Sequence, residues 1–403
     1  MRRFGVCRPT RFAVGPAYGV LAPCNPPELT GPTVRIVILG LTITSSWGNG
    51  HATTFRGLVR GLIRRGHSVL FLERDKPWYA DNRDLPAPPY GDTQLYDGLE
   101  ELQQRWSGAI EAADLVIIGS YVPDGVAVGA LVQRLATGIT AFYDIDTPVT
   151  LAALADDACD YLTPELLRGF DLYLSFTGGP TLQYLESALG AAMARALYCS
   201  ADPDVYRPNS KARLDWDLGY LGTYSPDRQP TVDALLCQPA LGWDAGRFVA
   251  AGPQYPAELA WPANVQRIEH LPPDRHRAFY AGQRFTLNVT RADMIRCGYS
   301  PSVRLFEAAC CGVPIISDWW AGLDAFFLPG KEILIAASAD EVLVLLHRMT
   351  EDQRQAIAQA ARARVLAAHT GDHRAAELEA FAHEAYVHKA TQARAGQRRA
   401  VTA

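Results

Sequence analysis

The chain has 403 residues, room for two or three ordinary domains, and its 48% hydrophobic and 20% charged residues are a globular composition. A formal net charge of -5 excludes a general nucleic-acid binder, which needs a basic excess. No apolar run reaches membrane-spanning length, and the eight cysteines show neither C-x-x-C pairs nor zinc-ligand spacing, so a reducing, cytoplasmic setting is expected.

Residues 1–32 carry arginines, but prolines interrupt every apolar stretch. They read as a disordered leader, with a targeting segment as the alternative. VRIVILGL, Val34 to Leu41, is a buried strand. The loop after it is rich in Ser, Gly and Asn. Phe55, Leu58, Val59, Leu62 and Ile63 then recur at helical spacing up to Gly66, and SVLFLERD is the second strand. This is the βαβ opening of a doubly wound sheet, without the G-x-G-x-x-G fingerprint of a dinucleotide site. Such sheets bind ligands beyond the carboxyl ends of their strands, where Trp47, Gly48, Asn49, Gly50 and His51 lie. Glycines there admit a ligand close to the backbone. His51 is a candidate general base, since imidazole titrates near neutrality; the alternative is a histidine packed at a helix start.

The connection from Asp75 is too rich in proline and aromatics for a plain helix, and Trp78 and Tyr79 either line a pocket or cover the flank. DLVIIGS, Asp114 to Ser120, is a strand with Tyr121 in the loop after it, and Val126 to Leu135 reads as a helix. GITAFYDIDTPVTLAAL puts Asp144 and Asp146 at the end of another strand. Residues i and i+2 of a strand share a face, so both carboxylates are expected on the ligand side. A base or ligand-binding role, a metal role and a structural role all stay open for them. FDLYLSFTGGP ends a further strand in a turn where Thr177 and Gly178 face the same side, and ARALYCSADPDVYRP closes this half.

A linker near Pro208 to Asp217 leads to a second sheet. Its strands are Leu218 to Leu221 with a Gly222-Thr223-Tyr224 loop, RFVAAG, a short strand ending near Glu269-His270-Leu271, and Phe285 to Val289 followed by Arg291. Arg291 suits a diphosphate, because guanidinium matches phosphate oxygens bidentately; Arg296 and Arg304 compete for that role. Gly298 to Glu332 then reads as turn, helix (Val303 to Cys311), Gly312 cap and strand (Val313 to Ser317). The start of that helix, at Tyr299, Ser300, Ser302 and Val303, offers N–H groups and a positive dipole end to a phosphate. Glu307, one to two turns inside, either accepts hydrogen bonds from ribose hydroxyls or lies on a wet face. Helices are expected over Glu341 to Met349, over DQRQAIAQAARARVLAAHT and from about Asp372 to Ala390. KATQARAGQRRAVTA is a basic, frayed tail whose few charges bind anionic lipid weakly.

RLFEAACCGVPIISD, with the Gly-Leu pair and PGKE turn after it, resembles the donor-site segment of GT-B glycosyltransferases, and within them the CgeB/spore-protein-like glycosyltransferase group. The resemblance covers about residues 34 to 390. It implies an α/β fold of the GT-B type: two Rossmann-like domains facing across a cleft, and a C-terminal helix crossing back to the first. The expected division is an acceptor domain at 33–208, a donor domain at 209–370, a crossing helix at 371–392 and a flexible tail at 393–403. The implied activity moves a sugar from a nucleoside-diphosphate sugar to an acceptor, with no metal or other cofactor required. The resemblance gives Glu307 the ribose, Glu269, His270 and Leu271 the nucleobase, and Gly222 and Thr223 the phosphates or sugar. Arg291, Tyr299, Ser300, Ser302, Val303 and Arg304 complete the donor side. Trp47, Gly48, Asn49, Gly50, Tyr121, Thr177 and Gly178 are left for the acceptor. Many retaining members carry a Glu eight positions before the ribose Glu; here that position is Tyr299. Its absence favours a single inverting displacement, with His51 and then Asp144 and Asp146 as base candidates. A nucleotide-sugar epimerase of the same fold and a non-catalytic nucleotide-sugar-binding protein are the alternatives, and the oligomeric state stays open.

Overall fold

The computed structural model describes residues 33–48 and 50–402, with side chains up to 395. The expected leader at 1–32 and the acceptor candidate Asn49 lie outside the described residues. The first sheet is built from β1 (Arg35–Gly40), β2 (Ser68–Arg74), β3 (Asp92–Tyr96), β4 (Leu115–Gly119), β5 (Ile139–Asp144), β6 (Leu172–Ser175) and β7 (Ala194–Ala196). All pair in parallel, in the order β3-β2-β1-β4-β5-β6-β7. The second sheet contains β8 (Trp216–Leu221), β9 (Phe248–Ala251), β10 (Val265–Ile268), β11 (Gln283–Asn288), β12 (Ile315–Ser317) and β13 (Leu334–Ile335). It is parallel as well, in the order β10-β9-β8-β11-β12-β13. Each order reverses beside the sheet's first strand, and that reversal leaves a crevice at the carboxyl ends.

Helices cover both faces of a parallel sheet, so its strands are apolar throughout. In β1, Ile36 and Ile38 pack with Phe55, Leu58 and Leu62 of the helix His51–Arg64, while Val37 and Leu39 pack with Leu131 and Val132 on the other face. β3 is absent from the sequence reading. It is an edge strand whose Asp92, Thr93 and Gln94 give no apolar run, and only Tyr96 is buried.

The last helix, Gly371–Thr402, crosses back onto the first sheet and continues past Ala390, the end expected. Ala375, Leu378 and Ala385 join the core around β1. The approach to the first helix is close: a Cβ on Gly61 would stand 2.5 Å from the Gly371 carbonyl oxygen. Arg65 grips Glu379 through two nitrogens at 2.5 and 2.6 Å, and Lys389 reaches Asp171 at 2.9 Å. Among the described residues no helix is long and apolar enough to cross a membrane.

Candidate active site

The crevices of the two sheets meet, and a cavity of about 230 Å³ lies between them. One wall is the helix Val303–Cys310 with the turns that follow β8, β9 and β10. Ser302 is the N-cap of that helix, but it turns its hydroxyl to Asn288 Oδ1 at 2.9 Å, so no side chain caps the helix. The positive end is therefore left for a ligand. Glu307 lines the cavity although only 3% exposed, so it is not on a wet face. Tyr280 donates to its Oε2 at 3.3 Å, and His276 Nδ1 stands 3.8 Å from the same oxygen. His276 Nε2 also bonds the Leu271 carbonyl at 3.2 Å, which ties the turn after β10 to Glu307.

Arg304 folds beneath the Gly222 loop and donates to the Leu221 carbonyl and, at 3.0 Å, to Asn288 Oδ1. Arg228 lines the same cavity and donates to the Thr223 carbonyl. Burial lowers the Arg228 pKa; Tyr220 works the other way, and the neighbouring Arg304 and Arg291 lower it further. Like charges thus converge beside an uncapped helix start, an arrangement suited to a polyanion. Arg228 is not among the sequence candidates, which in this loop stop at Gly222, Thr223 and Tyr224. The one local signal is an arginine six residues beyond the Gly222 turn.

The first domain supplies the opposite wall through the loop after β1. Glu73, at the end of β2, accepts from the Ile43 and Thr44 amides at 2.7 and 3.0 Å and from the Thr44 hydroxyl at 2.6 Å. Asp84 accepts from the Ser46 amide at 2.8 Å and is paired with Arg56. So fixed, the loop brings Gly48 and Gly50 to the cavity and sets Trp47 against His270, ring centroids 4.6 Å apart. Glu269 is exposed beside that contact.

A second cavity of about 180 Å³ adjoins and is lined by His51, Asp146, Ser302 and Val303 among others. His51 is 8% exposed, and burial lowers its pKa to about 4. Its ring meets Tyr121 edge-on at 5.5 Å, and the Tyr121 hydroxyl donates to Asp146 Oδ2 at 3.3 Å. Arg291 reaches the same oxygen from the second domain at 3.6 Å. Burial raises the Asp146 pKa against the pull of Arg291.

The other first-domain candidates stand elsewhere. Asp144 is fully buried; Tyr173 donates to Oδ2 at 2.5 Å and Thr150 to Oδ1 at 2.7 Å. Burial lifts its pKa to about 6 in spite of those bonds. The shared face expected for the two carboxylates fails because Asp146 lies beyond the end of β5, at the N-cap of the helix Thr147–Ala155, where strand alternation has stopped. Thr177 and Gly178 form a joint instead of an open wall: Thr177 donates to Ser300 Oγ at 2.9 Å, and the Gly178 amide to the Tyr299 carbonyl at 3.0 Å. The Tyr299 ring lies against Gly179 on one side and Gly322 on the other. These residues hold the loop that leads into Val303. Among the described residues no three His, Cys, Asp or Glu side chains cluster to hold a metal ion.

Two doubly wound parallel sheets, a cleft between them and a last helix returning to the first domain define the GT-B fold. Solved structures agree with it. Sucrose-phosphate synthase from Thermosynechococcus elongatus aligns with a TM-score of 0.62 at 14% identity, over 88% of this chain and 99% of that one. Anabaena HepE in complex with UDP and glucose aligns at 0.60 and 13%, over 86% and 98%. Trehalose 6-phosphate synthase from Burkholderia multivorans aligns at 0.56 and 12%, over 90% and 99%. By sequence, residues 228–380 match the model of the glycosyl transferase-like family, a stretch that begins at Arg228 and includes Glu307. No curated protein matches the sequence.

Proposed function

We propose that the protein is a hexosyl-type glycosyltransferase of the CgeB-like group, acting in the cytoplasm, that moves a sugar from a nucleoside-diphosphate sugar to an acceptor without a required metal. The observation that carries this reading is Glu307, buried yet lining the cleft, inside a helix with an uncapped start and arginines around it. In this reading residues 209–370 are the donor domain and 33–208 the acceptor domain. The diphosphate takes the helix start with Arg304 and Arg228, and Glu307 receives the ribose hydroxyls. The nucleobase lies toward His270 and Leu271. The acceptor enters the second cavity under His51. Its oxygen bonds to the anomeric carbon as the bond from that carbon to the diphosphate breaks, the electron pair leaves with the diphosphate, and His51 takes the hydroxyl proton. Fixed donors and the helix dipole stabilise the leaving group.

The uridine nucleotides bound to Anabaena HepE make UDP the first probe to try. Glu307→Ala should raise the donor dissociation constant at least about tenfold, or about 1.4 kcal/mol. An unchanged constant in the folded variant would sink the ribose assignment. Transfer should also survive a chelator; its loss with EDTA and rescue by magnesium or manganese would put a metal back into the reaction.

A further inference from the structure

One contact has no role in the donor reading above: the ion pair between Arg291 of the second domain and Asp146 of the first, Nη1 to Oδ2 at 3.6 Å. It joins the two domains beside the second cavity, which Asp146 lines. At that length it is looser than a made hydrogen bond, and its side chains are 37% and 28% exposed, so it is a weak bond. Neither partner is saturated. Among the described residues Arg291 Nε is buried without a hydrogen-bond partner, and the guanidinium is close enough to Arg228 to lower its pKa. Among the described residues, Asp146 Oδ2 otherwise takes only the Tyr121 hydroxyl. Asp144 and Asp293 lie near it as further carboxylates, Arg228 as a further cation, and His51 shares its cavity.

We propose that this pair is a latch opened by the donor's diphosphate. A diphosphate beside Arg228 and Arg304 carries more negative charge than one carboxylate and draws Arg291 to its own side. Asp146 is then released to face the acceptor hydroxyl in the second cavity. The donor therefore binds first and prepares the acceptor site. A ligand shifts such an equilibrium only by its differential affinity for the two states, and here that difference is the second partner Arg291 can take. The proposal rests on the donor-site reading.

The test is calorimetric titration with uridine, guanosine, adenosine and thymidine diphosphates, first on the wild-type chain. The one that binds is then titrated into Asp146→Asn, Arg291→Met and the double variant. Asp146→Asn keeps an acceptor for Tyr121 and removes the competing charge. It should tighten binding about fivefold, the worth of a partly exposed ion pair, whereas a residue that only supports the fold would not tighten it. Arg291→Met should weaken binding about tenfold. In that background Asp146→Asn should change nothing, because the two act through one contact. Equal or weaker binding by Asp146→Asn overturns the latch and leaves the donor site standing. So does wild-type affinity in Arg291→Met, which decides the matter even if the Asn variant does not fold. Failure of all four nucleotides to bind the wild-type chain overturns the donor reading and the latch together.

Discussion

His51 carries the chemical effect of burial. With its pKa lowered to about 4, the ring is neutral through the physiological range, the form in which a base acts. A base works while deprotonated, so the rate climbs as pH rises through its pKa and is level above it. The acid limb of kcat/KM should therefore fall near pH 4, not near the 6.5 of an ordinary imidazole. His51→Ala should lower the single-turnover rate about a hundredfold to ten-thousandfold and leave donor affinity close to the wild type. Rates measured beside donor titrations decide it: near-normal turnover would make His51 a wall of the cavity and nothing more. Residues whose place was legible from sequence were those set by local pattern. The place of Glu307 on the cleft wall was readable because helix, cap and spacing all lie within one short stretch. Arg228 was not, because its meaning comes from Arg291 and Arg304, which fold against it from far along the chain.

At the scale of elements, the turn after β6 fixes the loop before the Val303 helix. Gly179 has a φ of +56°, open to glycine and costly for other residues, and a Cβ there would press into the Tyr299 ring. Gly179→Ala should cost on the order of 3 kcal/mol of stability, from backbone strain and overpacking together. Gly108 is the control: it is exposed on the helix Leu99–Ala112 and a Cβ there meets nothing within 4 Å. Gly108→Ala should stabilise by roughly 0.5–1 kcal/mol through helix propensity alone. Urea midpoints of the two variants should move in opposite directions, and parallel shifts would refute the joint. The sequence showed the glycines and the buried strands around them, since apolar runs and Gly punctuation are local signals. It did not show what the turn touches, so Thr177 and Gly178 were taken for cavity wall. β3 and the inward-turned Asp144 escaped for the same reason: sheet neighbours and packing set their place, and their own residues do not.

Over the whole molecule, the chain passes between the sheets twice, and the two passages lie side by side, the Ala201 amide donating to the His369 carbonyl at 3.1 Å. Both are fastened to the first helix: Arg60 pairs with Asp202 at 2.5 Å, and Arg64 with Asp204 at 2.6 Å and with Asp372 at 3.3 Å. The helix that begins at His51 in the cleft thus ends on the connections between the domains. The return of the last helix also bears on biosynthesis. Strands β1 to β7 leave the ribosome early, yet their core is incomplete without Ala375, Leu378 and Ala385, and the small-residue face at Gly57 and Gly61 stays bare until Gly371 arrives. The core of the second sheet closes sooner, with Ala361 and Val365 of the helix Glu351–Ala368. The half made first is finished last, and until the final helix emerges a nascent chain presents an apolar face of the kind that chaperones hold.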